Sequence, residues 1–196
     1  MNKCKRWPYS SPGIDDHLFV RGEVPMTKSE VRAITVNKLK LAEGMQFLDV
    51  GAGTGSVSVE AGILGCQVTA IERHEAGIHL IKENGRLFEL EALQVIQGLA
   101  PEALPEGQEF DRVFLGGTGG QMASVFDYLD DHLKPGGIIV ANTITIENTS
   151  KFMTYMKAHD YSNIEAVQVN VSRSKAVGPL HMMMAENPIT IIRAIK

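Results

Sequence analysis

The 196 residues fit one domain of ordinary size, residues 1–196, and 44% hydrophobic with 21% charged residues is the balance of a soluble globular chain. No apolar run approaches the roughly 18 residues of a membrane span, and a formal charge of −4 speaks against a chain devoted to gripping phosphate backbones, which leaves a cytoplasmic protein with no membrane or nucleic-acid partner as the expectation. The first residues, MNKCKRWPYSSPG, carry basic side chains with no apolar core behind them, so residues 1–12 read as a loose leader rather than a signal peptide. Thr27 and Glu30 then make the Thr-x-x-Glu pattern of a capping box and predict an extra N-terminal helix running to about Lys40. From there strands and helices alternate: a strand over 46–50, a helix over 55–64, a strand over 67–72, a helix over 75–89, and strands over 93–97 and 110–115. Met122, Val125, Phe126, Leu129 and Leu133 recur at helical spacing and mark the buried face of the next helix, which Lys134–Gly137 (KPGG) ends before a strand over 138–143. A helix over 148–159 follows. Two strands, 164–171 and 189–195, close the chain with no helix between them.

Alternation of this kind predicts right-handed β-α-β units in a mostly parallel α/β sheet, ending in an antiparallel C-terminal pair. The connection 172–188 is too long for a tight turn and is a candidate lid or interface. Cys4 and Cys66 lie far apart and suggest neither a disulfide nor a zinc site. His74 and His79 are five apart, not the four that would stack them on a helix, and no metal site is expected.

Gly51, Gly53 and Gly55 follow the first strand as G-x-G-x-G, in the segment Asp49-Val50-Gly51-Ala52-Gly53-Thr54-Gly55. The dinucleotide fingerprint places its third glycine one residue later. A loop there aims backbone N–H groups and a helix N-terminus at its ligand. Asp49, ahead of the glycines, would repel a pyrophosphate and suits the ammonium of an amino-acid-like ligand; Glu72, at the end of the second strand, stands where an acid accepts the hydroxyls of a ribose. Strand, acid, glycines, helix, strand and acid together point to S-adenosylmethionine. Taken singly, the loop could be a tight turn, Asp49 a helix cap and Glu72 a solvated strand end. The adenine contact is expected at Gly98, Leu99 and Ala100, where many methyltransferases carry an acid and this chain has leucine.

The loop after the fourth strand, Leu115–Met122 (LGGTGGQM), lacks the Asn/Asp-Pro-Pro-aromatic stretch of amine methylation and the Pro-Cys of cytosine methylation. Four glycines around Thr118 leave room for a bulky acceptor. No catalytic cluster appears, so the acceptor is expected to be nucleophilic already, with alignment carrying catalysis.

The segments Val24–Ala33, Asp49–Ala61, Gly98–Leu104, Gly116–Gly120 and Ser172–Ile192 together resemble the decarboxylating (cobalt-)precorrin methyltransferases of cobalamin synthesis, class I S-adenosylmethionine-dependent enzymes with a Rossmann-like seven-stranded sheet. The resemblance runs from about Gly13 to the C-terminus. It implies methylation of carbon 15 of cobalt-precorrin-6B with loss of the ring C acetate carboxyl as carbon dioxide, cobalt that belongs to the substrate, and a homotetramer. Relatives generally have Asp at the position of Leu99. The resemblance also places Thr27 beside the methionine end of the cofactor. Arg21, Lys28, Arg173 and Lys175 are candidate partners for substrate carboxylates, with Gly117 and Thr118 beside the acceptor. The rival readings are a tRNA adenine-N1-type methyltransferase and a non-catalytic cofactor-binding subunit.

Overall fold

The computed structural model describes residues 4–196; residues 1–3 of the leader lie outside the described residues. Nine strands and five α-helices follow one another as α1 (Ser29–Leu39), β1 (Gln46–Val50), α2 (Ser56–Ile63), β2 (Gln67–Glu72), α3 (Glu75–Leu87), β3 (Leu93–Gln97), β4 (Phe110–Leu115), α4 (Met122–His132), β5 (Leu133–Thr143), α5 (Ile146–Ala158), β6 (Ser162–Val169), β7 (Ser172–Val177), β8 (Leu180–Ala185) and β9 (Ile189–Ile195). Seven strands form one sheet in the order β3-β2-β1-β4-β5-β9-β6. The contacts among β1 to β5 are parallel, and β9 runs antiparallel to both β5 and β6. The chain order leaves β1 outward to β3, then returns past β1 to β4, so the reversal falls between β1 and β4, where open α/β sheets bind ligands.

Period-two alternation divides the core. Leu48 and Val50 pack with Phe126 of α4 and Phe152 of α5 on one face, while Phe47 packs with Val31 of α1 and Val57 of α2 on the other. Asp49 shares the α2 face, which sets its chemistry below.

Several boundaries differ from the sequence reading. α1 starts at Ser29 with Lys28 at its N-cap and no side-chain cap, so the Thr27–Glu30 capping box does not form. Glu30 is drawn elsewhere: it pairs with Arg173 and accepts from Ser29 Oγ. α5 starts at Ile146, capped by Thr145 Oγ1, which accepts from Asn148 N at 3.2 Å. Leu133 begins β5 instead of ending α4: it pairs with Phe110, and pairing resumes at Arg112 with Ile138, leaving KPGG as a bulge. That bulge is held by Lys196, whose O accepts from Gly136 N and whose N donates to Gly137 O, both at 2.9 Å.

The connection 172–188 is a hairpin, β7 against β8, forming its own two-stranded sheet. Gly178 at φ 59° followed by Pro179 supplies a two-residue turn, and a proline at the second position selects the II′ type. Within the described part of the leader, Cys4 is buried with Ile14, Phe19, Ile63 and Phe88, while Lys5, Arg6 and 8–11 are exposed. Behind it, the buried Arg32 donates to Glu60 at 2.8 Å and to the carbonyls of Ile14 and Thr27, and Glu60 accepts from Gly13 N and Ile14 N.

Candidate cofactor and acceptor site

The loops that leave β1, β2, β3, β4 and β5 meet at the C-terminal edge of the sheet and line two clefts. The smaller, about 290 Å³, is walled by Glu72, His74, Leu99, Gly117 and Gly119. The larger, about 390 Å³, is walled by Thr27, Lys28, Asn142, Ile144, Glu186 and Asn187. Both include Pro25, Gly51, Gly53 and Gly116, so a single extended ligand laid across the glycine loop reaches both. The loop must be glycine at this crossing: Gly51 has φ 71°, and a Cβ on it would stand 2.6 Å from Gly117 O. The β1 and β4 loops therefore touch backbone to backbone.

Four N–H groups of this loop are spent inside the protein. Gly51 N and Ala52 N donate to Ile71 O at 2.9 and 3.0 Å, Gly53 N donates to Glu72 Oε2 at 2.9 Å, and Gly55 N to Ala52 O at 2.8 Å. For these four, the expectation that they point at the ligand is corrected. A pyrophosphate would find these four donors already engaged, whereas a cationic ligand needs acceptors, which carbonyls and carboxylates supply.

Glu72 is held at both oxygens, Oε2 by Gly53 N and Oε1 by His74 N at 2.8 Å. It is only 6% exposed yet lines the smaller cleft. Each carboxylate oxygen retains a lone pair, so ribose hydroxyls would find a fixed, doubly oriented acceptor. Asp49 lies deeper. It is fully buried under the loop, outside the lining of both clefts; Ser58 donates to Oδ2 at 2.5 Å, and Oδ1 has no partner. Burial pushes the carboxyl up to about 7, with Ser58 opposing and the Glu72 charge adding to the rise. A cation bound above the loop would offset that desolvation, so Asp49 can serve as buried counter-charge; it does not present its oxygens at the cleft surface.

Of the other expected residues, Ala52, Thr54 and Thr27 line the larger cleft, and Gly98, Leu99 and Ala100 the smaller. Gly55 lies outside both linings and starts α2, with φ 75° at its N-cap. Leu99 reaches across to the β4 loop, where a Cβ on Gly119 would lie 2.4 Å from Leu99 Cδ1, so this end of the smaller cleft is closed by an apolar side chain against bare backbone. Thr118 is buried behind the β4 loop with its carbonyl accepting from Gln121 N, and Gly117 reaches the smaller cleft.

The four candidate cations separate. Lys28 lines the larger cleft. Arg173 is bound by three acids, Glu30, Glu186 at 3.1 Å and Asp16 at 3.6 Å. Arg21 and Lys175 are exposed, and neither is in the lining of a cleft. Sequence reasoning missed Asn142, Glu186 and Asn187. Asn142 is the penultimate residue of β5, a position whose only signal is its place beside the other strand ends, and Glu186-Asn187 sits in the connection that hid the hairpin. Among the described residues, no group of three or more His, Cys, Asp or Glu could hold a metal, and no helix is long and apolar enough to cross a membrane.

A family model described as precorrin methyltransferase domain matches residues 18–196. The chain belongs to the precorrin methyltransferase family. A Salmonella typhimurium protein named cobalt-precorrin-6B C(15)-methyltransferase (decarboxylating) is 38% identical over 184 residues, covering 92% of this chain and 95% of that one. The crystal structure of a Geobacter metallireducens protein titled precorrin-6y C5,15-methyltransferase superposes with a TM-score of 0.89 at 36% identity, over 96% of this chain and 100% of that one. A tRNA (m1A58) methyltransferase from Aquifex aeolicus matches with a TM-score of 0.71 at 16% identity, over 91% of this chain and 72% of that one, and shares the fold alone. This precorrin methyltransferase thus has the class I sheet, and its two clefts occupy the edge at which that sheet does its chemistry.

Proposed function

We propose that the chain transfers a methyl group from S-adenosylmethionine to carbon 15 of cobalt-precorrin-6B and promotes loss of the ring C acetate carboxyl as carbon dioxide. The observation that carries this reading is the pair of clefts joined across Gly51–Gly53 in a chain that matches the family from residue 18 onward. Glu72 and Leu99 would hold the nucleoside, Gly51, Gly53 and Thr27 the amino-acid end, and Asp49 would supply charge from beneath. Bound there, S-adenosylmethionine supplies an electrophilic methyl on a sulfonium.

The larger cleft, at about 390 Å³, seats only part of a tetrapyrrole, whose remainder lies on the rim. There Ile144 and Ile146 are exposed, an apolar ledge suited to a ring face. Lys28 would meet one of the carboxylates. A reduced meso carbon is enamine-like and attacks in line once aligned, so the protein's contribution to the methyl step is position and exclusion of water. The hairpin shows Leu180, Met182, Met183 and Met184 to solvent. It is our candidate for the contact that builds a homotetramer, and the assembly would work in the cytoplasm without a nucleic-acid partner.

To test acceptor class, the protein is given methyl-labelled cofactor with cobalt-precorrin-6B and, separately, with tRNA. Label enters the tetrapyrrole alone. Label in tRNA, or in neither, overturns the reading.

A further inference from the structure

Replacing an acetate carboxyl by hydrogen leaves a carbon that must gain a proton, and a meso carbon that takes a methyl while still carrying its hydrogen must lose one. Nothing assigned so far moves that proton. Resting on the proposed reaction above, we infer that Glu186 carries it from carbon 15 to the side-chain carbon.

The lining of the larger cleft contains two ionisable side chains, Lys28 and Glu186; its other polar members are hydroxyls and amides such as Thr27, Thr54, Asn142 and Asn187. Lys28, as an ammonium, has donors and no lone pair with which to accept a proton. A carboxylate does both, accepting and then returning. Glu186 is also anchored through its backbone and paired with an arginine. Its N–H donates to Val171 O at 2.9 Å at the root of the hairpin, Oε1 lies 3.1 Å from Arg173 Nε as an ion pair without hydrogen-bond geometry, and the side chain, 36% exposed, lines the cleft. Arg173 is itself anchored to α1 through Glu30, so the carboxylate is tied to the body of the protein rather than carried by a free loop.

The electrons balance. Carbon 15 uses its enamine pair to bond the methyl, the old carbon–sulfur pair is left on sulfur, and the ring becomes an iminium. The bond from the acetate methylene to its carboxylate breaks, carbon dioxide leaves, and that pair neutralises the iminium, giving an exocyclic methylene. Glu186 removes the hydrogen from carbon 15, the freed pair restores conjugation, and the same carboxyl protonates the methylene to a methyl. No outside acid or oxidant is consumed.

The test compares wild type with Glu186→Gln and Glu186→Asp in single turnovers, reading carbon dioxide release and the final chromophore separately, with S-adenosylhomocysteine titrated calorimetrically into each. In wild type the two signals coincide. In Glu186→Gln, carbon dioxide release outruns the chromophore, which slows on the order of 100-fold or more; Glu186→Asp recovers part of it, and cofactor affinity is unchanged. Both signals slowed in step would show a structural role, and both at the wild-type rate would show no role; either overturns the inference. A wild type that releases no carbon dioxide from cobalt-precorrin-6B overturns the proposed reaction itself, and the inference with it.

Discussion

Asp49 and Glu72 are both buried, but only Glu72 lines a cleft, and their differences are measurable. Asp49 is fully buried, and its carboxyl titrates near 7 in the fold against about 3.8 in an unfolded chain. With the folded value above the unfolded one, the native state holds a proton that the unfolded state has lost, so stability falls as pH rises from about 4 to about 7 and is level beyond. The full effect is about 4 kcal/mol at 1.36 kcal/mol per pH unit. Asp49→Asn removes the slope: in thermal melts the variant gains on wild type as pH rises through that window, and parallel curves for the two would contradict the assignment. Glu72→Ala removes the acceptor of two backbone N–H groups as well as the proposed ribose partner. Calorimetry with S-adenosylhomocysteine should show affinity reduced by about tenfold or more, and wild-type affinity would exclude Glu72 from the site. Both acids were legible from their spacing to the glycines. That Asp49 lies under the loop was not, because its side chain follows the strand alternation toward Ser58, a partner nine residues on that no motif marks.

At the scale of elements, the N-terminal segment and the hairpin are held to the sheet by ion pairs of unequal depth. Arg32 is buried and joins α1 to Glu60 of α2, to Asp16 and to the Ile14 carbonyl. Arg32→Ala leaves the Glu60 carboxylate buried and short of its cation, a loss of about 3–5 kcal/mol that lowers the melting temperature by roughly 10 °C; Arg32→Lys recovers little because one ammonium cannot replace the guanidinium fork. A shift within 2 °C or so for Arg32→Ala would refute the network. The hairpin displays Lys175, Val177, Leu180 and Met182 on one face by its register. If it builds the tetramer, Leu180→Asp with Met182→Asp sediments as a smaller species with its far-UV spectrum intact, and an unchanged sedimentation coefficient rejects that interface. The hairpin escaped sequence reading because both its faces are exposed and it lacks the apolar alternation of a half-buried strand; Gly178-Pro179 was its one signal. The α1 start failed for a related reason, since a capping box is a local pattern and Glu30 answers to an arginine 143 residues away.

For the whole molecule, alternating apolar strands and amphipathic helices made the sheet and its crossovers legible, and the reversal between β1 and β4 marks the edge where the two clefts lie. The acceptor is a different matter. GGTGG clears space without naming an occupant, and Glu186 and Asn142 reach the larger cleft only through tertiary packing. Acceptor identity came from the ensemble of segments that resemble one family, which the match over residues 18–196 supports. The reaction proposed for this chain couples a gain and a loss in one product, and mass spectrometry reads both at once. Incubated with cobalt-precorrin-6B and S-adenosylmethionine carrying a labelled methyl, the protein should yield one tetrapyrrole that has gained the labelled methyl and lost carbon dioxide. A tetrapyrrole of unchanged mass beside intact cofactor would contradict the account.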